Sequence, residues 1–215
     1  MTRKLTRLQT LFTGGAFALA GIAGAPAAAL AADSSPVTDP AATAVVEQVA
    51  NPKTPAPSAQ ELHPQSIPGD QKRFTPDSEQ LANAKAIVEA GQELNLPPRA
   101  WTIAVATALQ ESNLHNLGHL GAKNDHDSLG LFQQRPTSGW GTAEQIQDPN
   151  YSAKSFYKGL AKVDGWQDLP LTKAAQKVQV SAYPNHYAKH EAQAGDLINA
   201  LYGSGPFADA AASLR

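Results

Sequence analysis

Apolar residues recur at helical spacing through the second half of the chain. Leu81, Ala84, Ile87, Val88 and Leu94 follow the cap-like run Thr75-Pro76-Asp77-Ser78 and predict a first helix. Pro97-Pro98 separates it from a second, whose stretch Trp101 to Leu109 carries no charge and almost no polar group. A helix apolar all round is a buried helix. Further helices are predicted over Pro149 to Ala161, with Asp148 as N-cap and Pro149 at the first helical position, over Thr172 to Val180, and over His186 to Leu201, where Leu197, Ile198 and Leu201 share a face. Between them, Ser128-Leu129-Gly130-Leu131-Phe132-Gln133-Gln134-Arg135-Pro136 alternates apolar and polar positions around a glycine and predicts a short strand or an extended turn. A mainly α domain is expected over 76–203, long enough for a single core, with a small, polar, frayed tail at 204–215.

The buried helix runs directly into Gln110-Glu111-Ser112-Asn113. Ala104, Ala108 and Glu111 fall on one face, so the carboxylate stands above two small side chains that leave room for another group. If that face is inward, loss of water and the negative end of the helix dipole both favour the protonated carboxyl. A carboxylic acid that keeps its proton near neutral pH is what a general acid requires. The alternative is a solvent-facing glutamate at the end of a core helix.

The pairing of two segments changes the weighing. A buried helix ending in Glu-Ser, followed some twenty residues later by Gly-Leu-Phe-Gln, resembles the lytic transglycosylases and the wider goose-type lysozyme superfamily. In that family the Glu-Ser glutamate is the catalytic acid and a Gly-Leu-Met-Gln string lines the sugar cleft; Phe132 stands here in place of the methionine. Asp148-Pro149-Asn150-Tyr151 with Phe156, Tyr157 and Leu160 is similar to the family's helix after the cleft. Ser181-Ala182-Tyr183-Pro184-Asn185 is similar to its Ala-Tyr-Asn-Ala-Gly motif, with a proline inserted and the glycine missing. The resemblance spans about residues 76–203. It implies a lysozyme-like α+β fold, several helices around a cleft with a short strand region, and cleavage of the β-1,4 bond between N-acetylmuramic acid and N-acetylglucosamine in peptidoglycan. Glu111 would act as acid and then base, leaving 1,6-anhydromuramic ends. Tyr183 would support the charge, and Gln133 and Gln134 would bind sugar.

The N-terminus places Arg3, Lys4 and Arg7 before an apolar stretch from Leu8 to Leu30 that ends in Ala29-Leu30-Ala31, the layout of a secretory signal at 1–31. An uncleaved anchor is the alternative, and Gly14, Gly15, Gly21, Gly24 and Pro26 argue for cleavage. The chain has 17 basic and 19 acidic residues; removing the three basic residues ahead of Ala32 leaves 14 against 19, a net charge of −5. That sign disfavours nucleic acid and simple adhesion to an anionic wall. There is no cysteine, so stability must come from a packed core. Residues 32–75, rich in Ala, Pro, Thr and Ser, predict a flexible tether. The expected product is a secreted, cell-wall-associated monomer that acts on peptidoglycan strands and stays off the membrane after signal cleavage.

Other residues compete for roles. Asp125 and Asp127 could hold a water and make the reaction a hydrolysis, although loop aspartates often bond their own backbone. Trp140, in Ser138-Gly139-Trp140-Gly141, is a candidate to stack on a sugar ring, whereas Trp101 belongs to the buried helix. His115/His119 and His186/His190 have the i,i+4 spacing of zinc pairs, yet the first pair flanks Gly118 in a loop and His190-Glu191 lacks the second histidine of a zincin motif. No metal and no cofactor are expected. The two function classes are therefore a glycan-cleaving enzyme, transglycosylase or muramidase, and a non-catalytic glycan-binding module of the same fold.

Overall fold

In the computed structural model of the chain, residues 55–119, 121 and 127–215 are described. The signal at 1–31, the first part of the tether and Asp125 lie outside them. Local chemistry accounts for where each helix starts. The Ser58 and Asp77 side chains accept from the amides three residues on, and Glu61 and Gln80 reach back to complete capping boxes at α1 (Ala59–Leu62) and α2 (Ser78–Glu93). Pro98 opens α3 (Pro98–Ser112), where a missing amide proton costs nothing, and Asn113 ends it in the left-handed region at φ 54°. Thr142 boxes α4 (Ala143–Ile146), and Asp148 caps α5 (Pro149–Leu160) as expected. The last two are α6 (Leu171–Gln179) and α7 (Glu191–Leu201).

α3 is the centre of the core. It is touched by α1, α2, α5, α6 and α7, and its residues from Arg99 to Leu109 are all buried. The alanines at 100, 104, 106 and 108 keep that helix thin, so five neighbours can close on it. Ile103 and Val105 fill the remaining space, each worth about 1.5–3 kcal/mol relative to an exposed position. Tyr157 Oη donates to the Ile87 carbonyl at 2.9 Å and joins α5 to α2. One charged group enters this core with its partner: Arg99 donates to Glu191 at 2.6 Å and to the Leu62 carbonyl at 3.2 Å.

Four expectations require correction. Ordered chain begins well before residue 75, because Leu62 is 1 % exposed in the core and the strap from 63 to 74 is tied across α7. Gln71 Nε2 donates to the Ala188 carbonyl, and Phe74 exchanges two hydrogen bonds with the Gln193 side chain. The tail is not frayed either: Ala211 is buried, and Arg215 donates to the carbonyls of Ala200 and Ala208. No strand occurs among the described residues; the alternating segment is a tight turn closed by a single antiparallel bridge between Leu129 and Gln134. The last helix starts at Glu191 rather than His186, preceded by a 3-10 turn over Ala188–His190. The fold is thus mainly helical, and no helix among the described residues is long and apolar enough to cross a membrane.

Candidate active site

The end of α3 is fastened to the Gly-Leu-Phe-Gln turn through Ser112. Its hydroxyl lies 2.9 Å from the Leu131 carbonyl and 3.1 Å from the Ala108 carbonyl of its own helix, so a single proton serves both acceptors. The turn is wedged in place from the other side. Gly130 donates its amide to the Leu117 carbonyl at 2.7 Å, and at φ +70° a Cβ there would stand 2.5 Å from the Ile146 carbonyl oxygen. Only glycine meets both demands. Phe132, at the position of the family's methionine, stacks on Phe156 with ring centroids 5.0 Å apart and anchors the turn to α5.

Ser112 is buried, and Glu111, one residue earlier, faces an open groove of about 870 Å³. Tyr187 Oη donates to Glu111 Oε1 at 2.8 Å. The Tyr187 side chain is fully buried, and burial first, then the negative charge and hydrogen bond of Glu111, push its hydroxyl far above the ordinary phenol range. Tyr187 therefore keeps its proton near neutral pH and donates it to Glu111 in a hydrogen bond. One wall of the groove is formed by Lys72, Arg73 and Phe74 of the strap together with Lys189 and His190. Asp77, Gln80, Asn113 and His115 form a further part of its lining. That part is braced by Glu79, which accepts from the Asn116 amide at 3.0 Å and pairs with His115 Nδ1 at 2.9 Å. The His115 contact, more than the amide, holds the Glu79 carboxyl below its usual range.

The residues expected to surround Glu111 are only partly brought together. Tyr183 is 61 % exposed and stacks on His186, with centroids 4.7 Å apart, so the tyrosine bonded to Glu111 is the one four positions later. Gln134 is 2 % exposed and gives its amide to the Ser152 carbonyl at 3.1 Å, while Gln133 turns back on the Gly130 carbonyl at φ 48°. Both glutamines serve the turn and neither lines the groove. The Trp140 ring lies over Gly159 of α5, away from Glu111. Asp127 accepts from Arg135 Nε at 2.6 Å and from the Thr137 amide at 2.9 Å, which together hold its carboxyl far below the ordinary range. Such a locked carboxylate is an anchor for the 127–137 loop and a poor base. His186 sits at the surface while His190 is buried, because the 3-10 turn between them breaks the helical spacing.

Sequence reasoning missed Tyr187, the lysines of the groove wall, and Gln80, which donates to the Asn113 carbonyl at 2.9 Å and fixes the backbone just past Glu111. The capping-box position of Gln80 after Asp77 was the available signal for the last of these. No protein-family model matches the chain, and no curated protein matches it.

Proposed function

We propose that the chain is a secreted peptidoglycan lytic transglycosylase of lysozyme-like fold, with Glu111 as its acid and base. The observation that carries this reading is the Tyr187 hydroxyl bonded to Glu111 at 2.8 Å where a helix buried from Arg99 to Leu109 meets a groove large enough for several sugars. In the reaction, Glu111 gives its proton to the glycosidic oxygen as the bond from that oxygen to the muramic C1 breaks. The resulting carboxylate then takes the proton of the C6 hydroxyl as O6 bonds to C1. One carboxyl group suffices, no water is consumed, and Tyr187 supports the carboxylate in the middle of the sequence. Asp77, a second carboxylate on the groove, motivates the alternative of a muramidase in which a held water attacks C1.

The test is mass spectrometry of soluble fragments released from purified peptidoglycan, with Glu111→Gln as the matched control. Anhydromuramic ends that vanish in the variant are the expected result. Reducing muramic ends would turn the assignment to hydrolysis. Binding to the wall without release of fragments, in both proteins, would make the domain a glycan-binding module.

A further inference from the structure

Two lysines stand side by side on the groove wall, and the backbone puts them there. The Lys72 amide donates to the Lys189 carbonyl at 2.8 Å; the side chain of the preceding Gln71 donates to the Ala188 carbonyl and accepts from the Ala192 amide, both at 2.9 Å. The strap and the 3-10 turn are thereby laced together with their cationic side chains adjacent. Five described cations have acids beside them, among them the neighbouring Arg73: Arg73 with Asp196, Lys85 with Glu89, Arg99 with Glu191, Arg135 with Asp127 and Lys154 with Glu93. Lys72 and Lys189 form no ion pair among the described residues. Lys189 is half-buried, so its charge is held there against a desolvation cost as well as against its neighbour's repulsion. The same two charges add to burial in keeping the adjoining His190 neutral. The groove lining therefore holds two neighbouring cations, neither of them in an ion pair among the described residues.

The same groove is also lined by Asp77 and Glu111. A continuous polyanion laid along such a groove would meet repulsion from Asp77 and Glu111, whereas a neutral chain with one anionic branch would suit both the acids and the lysines. We infer that the edge formed by Lys72 and Lys189 binds a carboxylate carried as a branch on the glycan strand, next to the bond held at Glu111. This rests on the glycan reading of the groove and adds that the strand is recognised by its charge as well as its sugars. Two carboxylates meet the description: the lactyl group of muramic acid and the ends of the peptide stem.

The experiment measures equilibrium binding by calorimetry to the full chain bearing Glu111→Gln, so that no ligand is consumed. Three probes of equal sugar length separate the sources: a neutral β-1,4 N-acetylglucosamine oligomer, a stem-free strand fragment with lactyl carboxylates, and a fragment with its peptide stems. A carboxylate-bearing probe should bind at least about tenfold more tightly than the neutral oligomer, a difference of ~1.4 kcal/mol. Adding Lys72→Gln and Lys189→Gln should erase that preference while leaving the neutral oligomer unchanged, and Lys158→Gln on the outer face of α5 should do nothing. The advantage should also shrink as salt is raised. Preference already present for the stem-free fragment assigns the lactyl group; preference only with stems assigns the peptide. Equal affinity for all three probes, no binding of any, or a preference that survives both lysine substitutions overturns the inference. Failure of the enzymatic reading is distinguishable, because charge-selective binding without fragment release in the cleavage assay leaves this site standing, and cleavage without charge selectivity removes it alone.

Discussion

Lowering the pH from 7 to 4.5 probes the burial of His190 directly. The imidazole is 5 % exposed, its Nδ1 has no hydrogen-bond partner, and burial, then Lys189, then Lys72 bring its pKa down from 6.5 to about 4. A base whose folded value lies below its unfolded value binds more protons when unfolded throughout that interval. Stability is then complete above pH 6.5 and is lost as pH falls toward 4. The loss between pH 7 and pH 4.5 is then roughly 2–3 kcal/mol. For a domain of this size that corresponds to a fall in Tm of roughly 5–10 °C. Glu191, buried nearby against Arg99, adds little in this window: desolvation opposes its ionisation, but His63 and Arg99 outweigh it and keep the carboxyl below 4.5, so its share is lost only at lower pH. The assay is a series of thermal melts at fixed ionic strength for the wild type and His190→Gln. The variant should be less stable at neutral pH, since an amide enters a site with little to bond, but its Tm should vary much less between pH 7 and 4.5. An unchanged pH slope in His190→Gln would refute the argument, because the proton uptake would then belong to other groups.

Tyr187→Phe keeps the buried ring and deletes one hydrogen bond to a carboxylate, so kcat for fragment release should fall by about ten- to a hundredfold, equivalent to roughly 1.5–3 kcal/mol. Tyr183→Phe, at an exposed position, should leave kcat within a factor of about two; the reverse order would show that the 2.8 Å contact is not the working one. Asp127→Asn should loosen the 127–137 loop and cost activity only modestly, and a loss as deep as that of Glu111→Gln would instead mark Asp127 as a catalytic carboxylate. Gly130→Ala combines a left-handed backbone with a collision at the Ile146 carbonyl, whereas Gly69→Ala at φ +62° has open space around the new methyl. Denaturant unfolding should show a penalty of about 1–2 kcal/mol for Gly69→Ala and clearly more for Gly130→Ala, and equal penalties would mean that the turn yields without strain.

The parts of this molecule that were legible from its sequence are those set by local chemistry. The starts of α2 and α5 follow from Asp77 and Asp148 with the residues three places on, and the burial of α3 follows from a run with almost no polar group. The location of Glu111 at the end of that run was legible for the same reason. Its partner was not. Tyr187 is 76 positions away, in a turn with neither helical nor strand periodicity, and the motif-like string ending at Asn185 drew attention to a tyrosine that Pro184 and the following turn leave in solvent. Gln133 and Gln134 are the converse case: a string associated with sugar binding supplies the backbone geometry that holds Ser112, while its amides bond the Gly130 carbonyl within the turn and the Ser152 carbonyl of α5.

The strap explains why composition misjudged the domain boundary. Segments low in large apolar residues are expected to stay loose because they cannot offset the entropy of ordering. Here few anchors suffice, since Leu62 enters the core, its carbonyl accepts from buried Arg99, and Gln71 and Gln193 satisfy the backbone on both sides of the seam. A glutamine that bonds backbone leaves no periodic trace in a sequence. Yet the strap provides Lys72, Arg73 and Phe74 to the groove, and a domain cut at residue 76 would retain Glu111 and Tyr187 while losing these three residues of the lining. Glu111, the proposed acid, is positioned by a helix that any hydrophobicity profile would find, and the lysines proposed to select the strand are positioned by polar contacts that none would. The two properties can therefore change independently: substitutions in the strap should alter which strand is bound without moving the carboxyl group that would cut it.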